Sequence, residues 1–188
     1  DTFSDNFKDD SLRYIKDILD ADKDGQVALL PFLFAESLNI KIPKDFLEDL
    51  CKVSIYGWAA YTIYDNIIDE KKDINMLPLA NFCSRQINYI SSHLFNFEKQ
   101  EIFDKEFNKI MNKADMFTYG EANWSDSNLS LLEELSDRSL GHTLCLSAIL
   151  IYLDYLPNSK ETQDLILFFR YYLSVRQLHD DCHDFEED

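Results

Sequence analysis

The chain has 188 residues, of which 46% are hydrophobic, and 35 acidic against 18 basic residues give it a net charge of −17. This length and composition can bury a substantial core, so we expect one globular domain over residues 1–188 rather than a disordered segment. The negative charge argues against nucleic acid and anionic membrane surfaces as partners, and it is compatible with binding metal cations.

Glycine and proline are scarce, with four of each, which predicts an all-α chain. The longest uncharged apolar run, near residues 143–153, is too short to span a bilayer, so we expect no integral membrane protein. Four widely spaced cysteines and the lack of a signal peptide predict reduced core thiols in a cytoplasmic protein. The chain starts without Met and stops inside an acidic motif, so we expect part of a longer protein.

Helical periodicity and breaker residues predict a series of helices along the chain. In chain order they cover residues 5–19, 27–38, 46–70, 78–97, 102–124, 130–154 and a last helix that follows Ser159. Leu12, Ile15 and Leu19 mark the expected apolar side of the first helix. Residues 20–27 resemble the start of an EF-hand calcium loop, but Pro31 stands where the bidentate glutamate belongs, which favours a plain turn.

Two of the predicted helices end in acidic clusters. An uncharged run over residues 55–64 leads to Asp65 and Asp69, which are i, i+4 neighbours. The apolar run 165–178 leads to a set that shares one helix face, namely Gln177, Asp181, Asp184 and Asp188. Carboxylates at this spacing repel one another and need water or a cation beside them. If the two helix ends face each other, they form a cup of oxygen ligands above an apolar cavity.

These clusters resemble the two aspartate-rich motifs of class I isoprenoid synthases, the family of trans-prenyl diphosphate synthases and related terpene synthases. The second cluster follows the family pattern Q-x-x-D-D-x-x-D-x-x-x-D at every position, with Gln177, Asp180, Asp181, Asp184 and Asp188. The first is a variant of D-D-x-x-D, because Asn66 stands at the second position between Asp65 and Asp69. An amide oxygen can still coordinate a metal, but it adds no charge.

The resemblance implies an all-α bundle like the class I terpenoid synthase fold, a Mg²⁺ cofactor and an allylic prenyl diphosphate substrate, with a homodimer as a candidate assembly. It implies that the catalytic metal ligands are Asp65, Asp69, Asp180, Asp181 and Asp184, with Asp188 as a further ligand. It assigns diphosphate binding to Arg138, Gln177, Lys71 and Lys72. It assigns the pocket for the prenyl tail to Tyr61, one turn before Asp65, and Trp58, two turns before it.

Each of these assignments has a plainer alternative. The acidic clusters are also typical of solvated helix ends. Arg138 is also explained as a surface arginine that pairs with Glu134 or Asp137. Trp58 and Tyr61 are equally typical of core aromatics between helices.

Two other functional classes remain open. The dipeptides His179-Asp180 and His183-Asp184 resemble those of His-Asp-type metal phosphohydrolases, although only two further histidines are present. A zinc site at His179, Cys182 and His183 is a related variant with only three candidate ligands. A non-catalytic helical binding protein is the remaining class, because Asn66 departs from the family motif.

Overall fold

The computed structural model describes residues 5–22, 25–68, 71–121, 136–137 and 139–187, and within them not the side chains of residues 5, 118–121, 177 and 179–187. All regular structure in these ranges is helical, as the composition predicted. The α-helices are α1 (Asp5–Ala21), α2 (Leu30–Ser37), α3 (Lys44–Ile68), α4 (Leu77–Ser91), α5 (Phe97–Glu121), α6 (Thr143–Tyr152) and α7 (Lys160–Glu187). Among the described residues, no helix has both the length and the apolar character needed to cross a membrane.

The helices form two compact units, the first ending at Leu94 and the second beginning at Phe95. The prediction of a single domain over residues 1–188 stays a prediction, as does the likeness to the terpenoid synthase bundle. Each aspartate-rich motif belongs to a different unit, the first motif to α3 and the second to α7.

The core of the first unit lies between α3 and α4, which pack along each other. Ala59, Ala60 and Ile63 of α3 meet Ala80 and Cys83 of α4, and all five are fully buried. Three of these side chains are single methyl groups, so the two backbones can approach closely. The carboxyl half of α3, which carries the first motif, is therefore anchored on a rigid partner helix.

Helix α1 packs on this core through a face that shares only Ile15 with the predicted one. Leu12 and Leu19 are exposed, whereas Ile18 is buried and Tyr14 packs beside it with Phe7 and Ile15. The prediction was right for Ile15 and wrong for Leu12 and Leu19, because the sequence offers apolar residues on two sides of this helix. The observed face brings the Tyr14 ring, and with it a hydroxyl group, towards α3.

The turn between α1 and α2 uses Asp and Gly for turn chemistry, as the sequence predicted. The Asp22 carboxylate accepts hydrogen bonds from the backbone N–H of Val27, at 3.1 and 3.2 Å, and of Ala28, at 2.8 Å. Gly25 has φ +64°, and a Cβ there would lie 2.8 Å from Leu29. Both observations require glycine at this position. The turn delays the start of α2 to Leu30, later than the predicted residue 27.

A break over residues 92–96 separates α4 from α5, where the sequence predicted one helix through Phe97. Asn96 precedes α5, and its side-chain oxygen accepts a hydrogen bond from the backbone N–H of Lys99 at 3.3 Å. The Gln100 side chain accepts one from the backbone N–H of Phe95 at 3.0 Å. These bonds satisfy backbone donors that an amino-terminal helix end leaves unpaired.

Helix α6 is the core of the second unit, since every residue from Thr143 to Ile151 is buried and α5 and α7 pack against it. A short 3₁₀-helix over Leu140–His142 precedes it, within the range 130–154 that was predicted as one helix. Residues 130–135, with which that predicted helix begins, lie outside the described residues. Helix α6 ends at Tyr152, two residues before the predicted end at Asp154.

Helix α7 is buried along one face only, although its apolar run predicted a core helix. Phe169, Leu173 and Ser174 are buried, whereas Phe168 and Val175 are exposed. Its start agrees with the sequence, because the Ser159 hydroxyl accepts a hydrogen bond from the backbone N–H of Thr162 at 3.3 Å. The helix then continues without interruption to Glu187, through the second motif.

Candidate functional site

The first motif occupies the carboxyl end of α3. Asp65 is partly buried in the last turn of the helix, which ends at Ile68. Asp69, the second predicted ligand of this motif, lies outside the described residues. The structure therefore places one of the two predicted carboxylates. That carboxylate lies at the end of α3, the helix whose buried face packs against α4.

Asn66, the residue that departs from the family motif, joins three parts of the first unit. Its Nδ2 donates to Asp73 Oδ2 at 2.9 Å and to the Tyr14 hydroxyl at 3.2 Å. Burial raises the pKa of Tyr14, and the negative charge of Asp73 raises it further. The hydroxyl therefore stays protonated at neutral pH. Sequence reasoning missed this cluster because Tyr14 and Asn66 are 52 positions apart.

The segment after α3 folds back onto the helix end. The backbone N–H of Lys72 donates to the Asn66 carbonyl oxygen at 3.0 Å. Lys71 and Asp73 both have left-handed backbones, with φ of 54° and 56°. Lys71 and Lys72, the predicted diphosphate ligands of this motif, are exposed residues in this loop. Their charges thus stand beside the helix end that carries Asp65.

The two predicted pocket aromatics stand on α3 before Asp65. Trp58 is partly buried and packs against the core shared by α1, α3 and α4. Tyr61 is also partly buried, and its ring meets that of Tyr64 edge to face with the centroids 5.9 Å apart. For Trp58 this packing is what the core alternative describes. The pocket assignment of both residues stays a prediction.

The second motif lies in the last turns of α7. The backbone is helical at Gln177, Asp180, Asp181 and Asp184, while their side chains, like all of Asp188, lie outside the described structure. Helical register places residues 177, 181 and 184 on the same side of α7 as Arg170 and Ser174. Ser174 is buried and Arg170 nearly so. The inward face of the helix therefore continues, by register, into positions of the motif.

Arg170 belongs to a buried ionic cluster that sequence reasoning did not find. Asp137 accepts from its Nη2 at 2.7 Å and lies 2.7 Å from Lys113 Nζ. The Arg170 Nε donates to the Ser136 hydroxyl at 2.9 Å. The cluster ties α5, α7 and the short helical segment 136–137 together. No local signal reveals it, since its members are 24 to 34 positions apart.

Arg138, the predicted diphosphate ligand, lies outside the described residues. It follows Asp137 directly in the chain, so the ionic cluster fixes the position of its neighbour. Asp137 was one of the two partners considered for Arg138 in its surface alternative. That carboxylate already binds two cations, Lys113 and Arg170.

The cysteines behave as core thiols. Cys51, Cys83 and Cys145 are buried thiols, and burial raises the pKa of Cys51 and Cys83 to about 11. Protonated thiols are poor metal ligands. Among the side chains that the structure describes, no group of three or more His, Cys, Asp or Glu residues is placed to hold a metal ion. The carboxylates of the second motif lie outside that set.

Comparison with known protein families, with curated proteins and with solved structures yields no match for this chain.

Proposed function

We propose that the chain is a Mg²⁺-dependent isoprenoid synthase that acts on an allylic prenyl diphosphate, by prenyl transfer or by ionisation and cyclisation. The observation that carries the proposal is the position of the second motif. Its full Q-x-x-D-D-x-x-D-x-x-x-D pattern begins within a continuous helix, and positions 177, 181 and 184 extend the face that is buried at Ser174.

The donor atoms fit the proposed metal. Asp65, Asp69, Asp180, Asp181, Asp184 and Asp188 supply only carboxylate oxygens, which are the hard ligands that Mg²⁺ prefers. When bound, Mg²⁺ neutralises the charge that develops on the departing diphosphate. A cation is also what these stacked carboxylates need, because without one they repel each other.

The remaining roles fall to cations and aromatic rings of the chain. Lys71 and Lys72, exposed beside the end of α3, attract the diphosphate oxygens, and Arg138 and Gln177 hold them. The Tyr61 ring, one turn before Asp65, borders the prenyl tail and stabilises an allylic cation through its π face. We also propose that the protein is located in the cytoplasm and assembles as a homodimer.

Binding measurements on charge variants test the proposal. Asp65→Ala and Asp181→Ala should abolish Mg²⁺-dependent binding of farnesyl diphosphate, while the unliganded proteins keep their melting temperature or gain slightly. Asp49→Asn is the matched control, because it removes one exposed carboxylate from the first part of α3. Undiminished binding by both alanine variants, or a loss as large in the control, contradicts the assignment.

One observation favours a non-catalytic helical binding protein as a second candidate. Asn66, at a position where the family has a carboxylate, uses its amide in hydrogen bonds within the protein. A binding protein of this kind retains prenyl diphosphates without converting them. Incubation with radiolabelled farnesyl diphosphate and Mg²⁺, with and without isopentenyl diphosphate as the prenyl acceptor, distinguishes the two. A cyclising synthase releases inorganic diphosphate without the acceptor, a prenyl transferase releases it only with the acceptor, and a binding protein returns the substrate unchanged in both cases.

A further inference from the structure

Asn66 makes two hydrogen bonds through its amide nitrogen, and a carboxylate at the same position would lose the one to Asp73. Its amide nitrogen donates to Asp73 Oδ2 and to the Tyr14 hydroxyl. The amide orientation is unambiguous, because the Asp73 carboxylate only accepts hydrogen bonds and so must face the nitrogen. An aspartate at position 66 has no hydrogen to donate and would place two carboxylates at hydrogen-bonding distance.

The bond to Asp73 holds a loop whose conformation is otherwise unfavourable. Lys71 and Asp73 both adopt the left-handed region, which non-glycine residues keep only when the surroundings enforce it. Two bonds to Asn66 supply that enforcement, one from its side chain to Asp73 and one from the Lys72 backbone to its carbonyl oxygen. The Met76 backbone then donates to the Asp73 carbonyl at 2.7 Å and starts the next short helix.

We propose that Asn66 is a positioning residue, which holds the Lys71–Lys72 loop against the end of α3 and ties both to α1 through Tyr14. The departure from the family motif thus has a structural cause, and restoring aspartate at position 66 impairs the site rather than improving it. The role of the two lysines rests on the proposed function. The positioning of the loop does not.

Exchange of the two bonded groups tests the proposal. Asn66→Asp places two carboxylates together, whereas the double variant Asn66→Asp/Asp73→Asn restores one donor and one acceptor in reversed order. Asn88→Asp is the matched control, because it adds the same charge at an exposed position of α4. Tryptic cleavage after Lys71 or Lys72, followed by mass spectrometry without metal or ligand, reports how often the loop opens.

We expect Asn66→Asp to be cleaved in the loop roughly tenfold faster than the parent protein, since loss of one partly buried hydrogen bond shifts such an equilibrium by about this factor. The double variant should return to the parent rate, and Asn88→Asp should not differ from it. Equal cleavage of Asn66→Asp and the parent, or no rescue in the double variant, overturns the proposal. Should Asn66→Asp fail to fold, rescue of folding in the double variant decides in the same way.

Titration with farnesyl diphosphate and Mg²⁺ separates this proposal from the proposed function. Weaker binding by Asn66→Asp, with recovery in the double variant, supports both. Tighter binding by Asn66→Asp contradicts the positioning role, because position 66 would then act as a metal ligand. If no variant binds the diphosphate but the cleavage rates still follow the exchange, the proposed function fails and the positioning of the loop stands.

Discussion

Removal of the Asp137 carboxylate should unfold the second unit more readily than any change to its two cationic partners. Asp137 has a side chain only 9% exposed, and it binds Arg170, which is 18% exposed, and Lys113, which is 50% exposed. Asp137→Ala removes the carboxylate that lies 2.7 Å from the largely shielded guanidinium of Arg170. Lys113 can instead turn towards solvent.

The expected loss of folding stability follows from this difference in exposure. Loss of one partner from a buried ion pair costs about 3–5 kcal/mol, and the residual exposure of Arg170 places the expected value near the lower limit. About 3 kcal/mol corresponds to a fall in melting temperature of roughly 6–12 °C for a chain of this size. Lys113→Met should cost only about 0.2–1 kcal/mol, as for an exposed pair.

Urea denaturation followed by circular dichroism measures these values. The double variant Asp137→Ala/Arg170→Met removes both buried charges, so it should be more stable than Asp137→Ala alone. The reasoning is refuted if Asp137→Ala lowers the free energy of unfolding no more than Lys113→Met does. It is also refuted if the loss in the double variant equals the sum of the losses in Asp137→Ala and Arg170→Met, each measured alone.

The remaining predictions concern the core thiols and the proposed pocket. Cys51 and Cys83, with a pKa of about 11, should resist iodoacetamide at pH 8 in the native protein and react once it is unfolded; mass spectrometry after a timed exposure checks this. In the unfolded chain the same thiols ionise from a pKa near 9.0, so the free energy of unfolding should fall as the pH rises from 9 to 11. Tyr61→Ala should shift affinity from geranyl or farnesyl towards geranylgeranyl diphosphate, measured by calorimetry beside the exposed control Tyr89→Ala. Unchanged preference with a loss of about 3–5 kcal/mol in stability makes Tyr61 a core residue instead.

Much of the fold could be predicted from local patterns. The helical composition, the long helix before Asp65 and the Ser159 start of the last helix follow from periodicity and capping, which depend on neighbouring residues alone. The break before α5 was also readable, because Asn96 is a strong amino-terminal cap with Gln100 four residues later. The prediction instead ended one helix at residue 97 and began the next at residue 102, so it placed the break a few residues too late.

Contacts between residues far apart in the chain could not be predicted from these local patterns. The ionic cluster of Asp137 and the bond between Tyr14 and Asn66 join residues far apart in the chain, and no periodicity encodes them. The face of α1 was predicted correctly only at Ile15, for a related reason. Leu12 and Ile18 lie on different sides of the helix, and only packing against α3 and α4 selects Ile18 as the buried residue.

Calorimetric titration of farnesyl diphosphate in the presence of Mg²⁺ and in the presence of EDTA tests the central claim most directly. The only ligands proposed for the metal are carboxylates, which repel a diphosphate unless a cation stands between them. We therefore predict saturable binding with Mg²⁺ and none with EDTA. Equal affinity under both conditions would contradict the assignment of the two aspartate clusters as a metal-dependent diphosphate site.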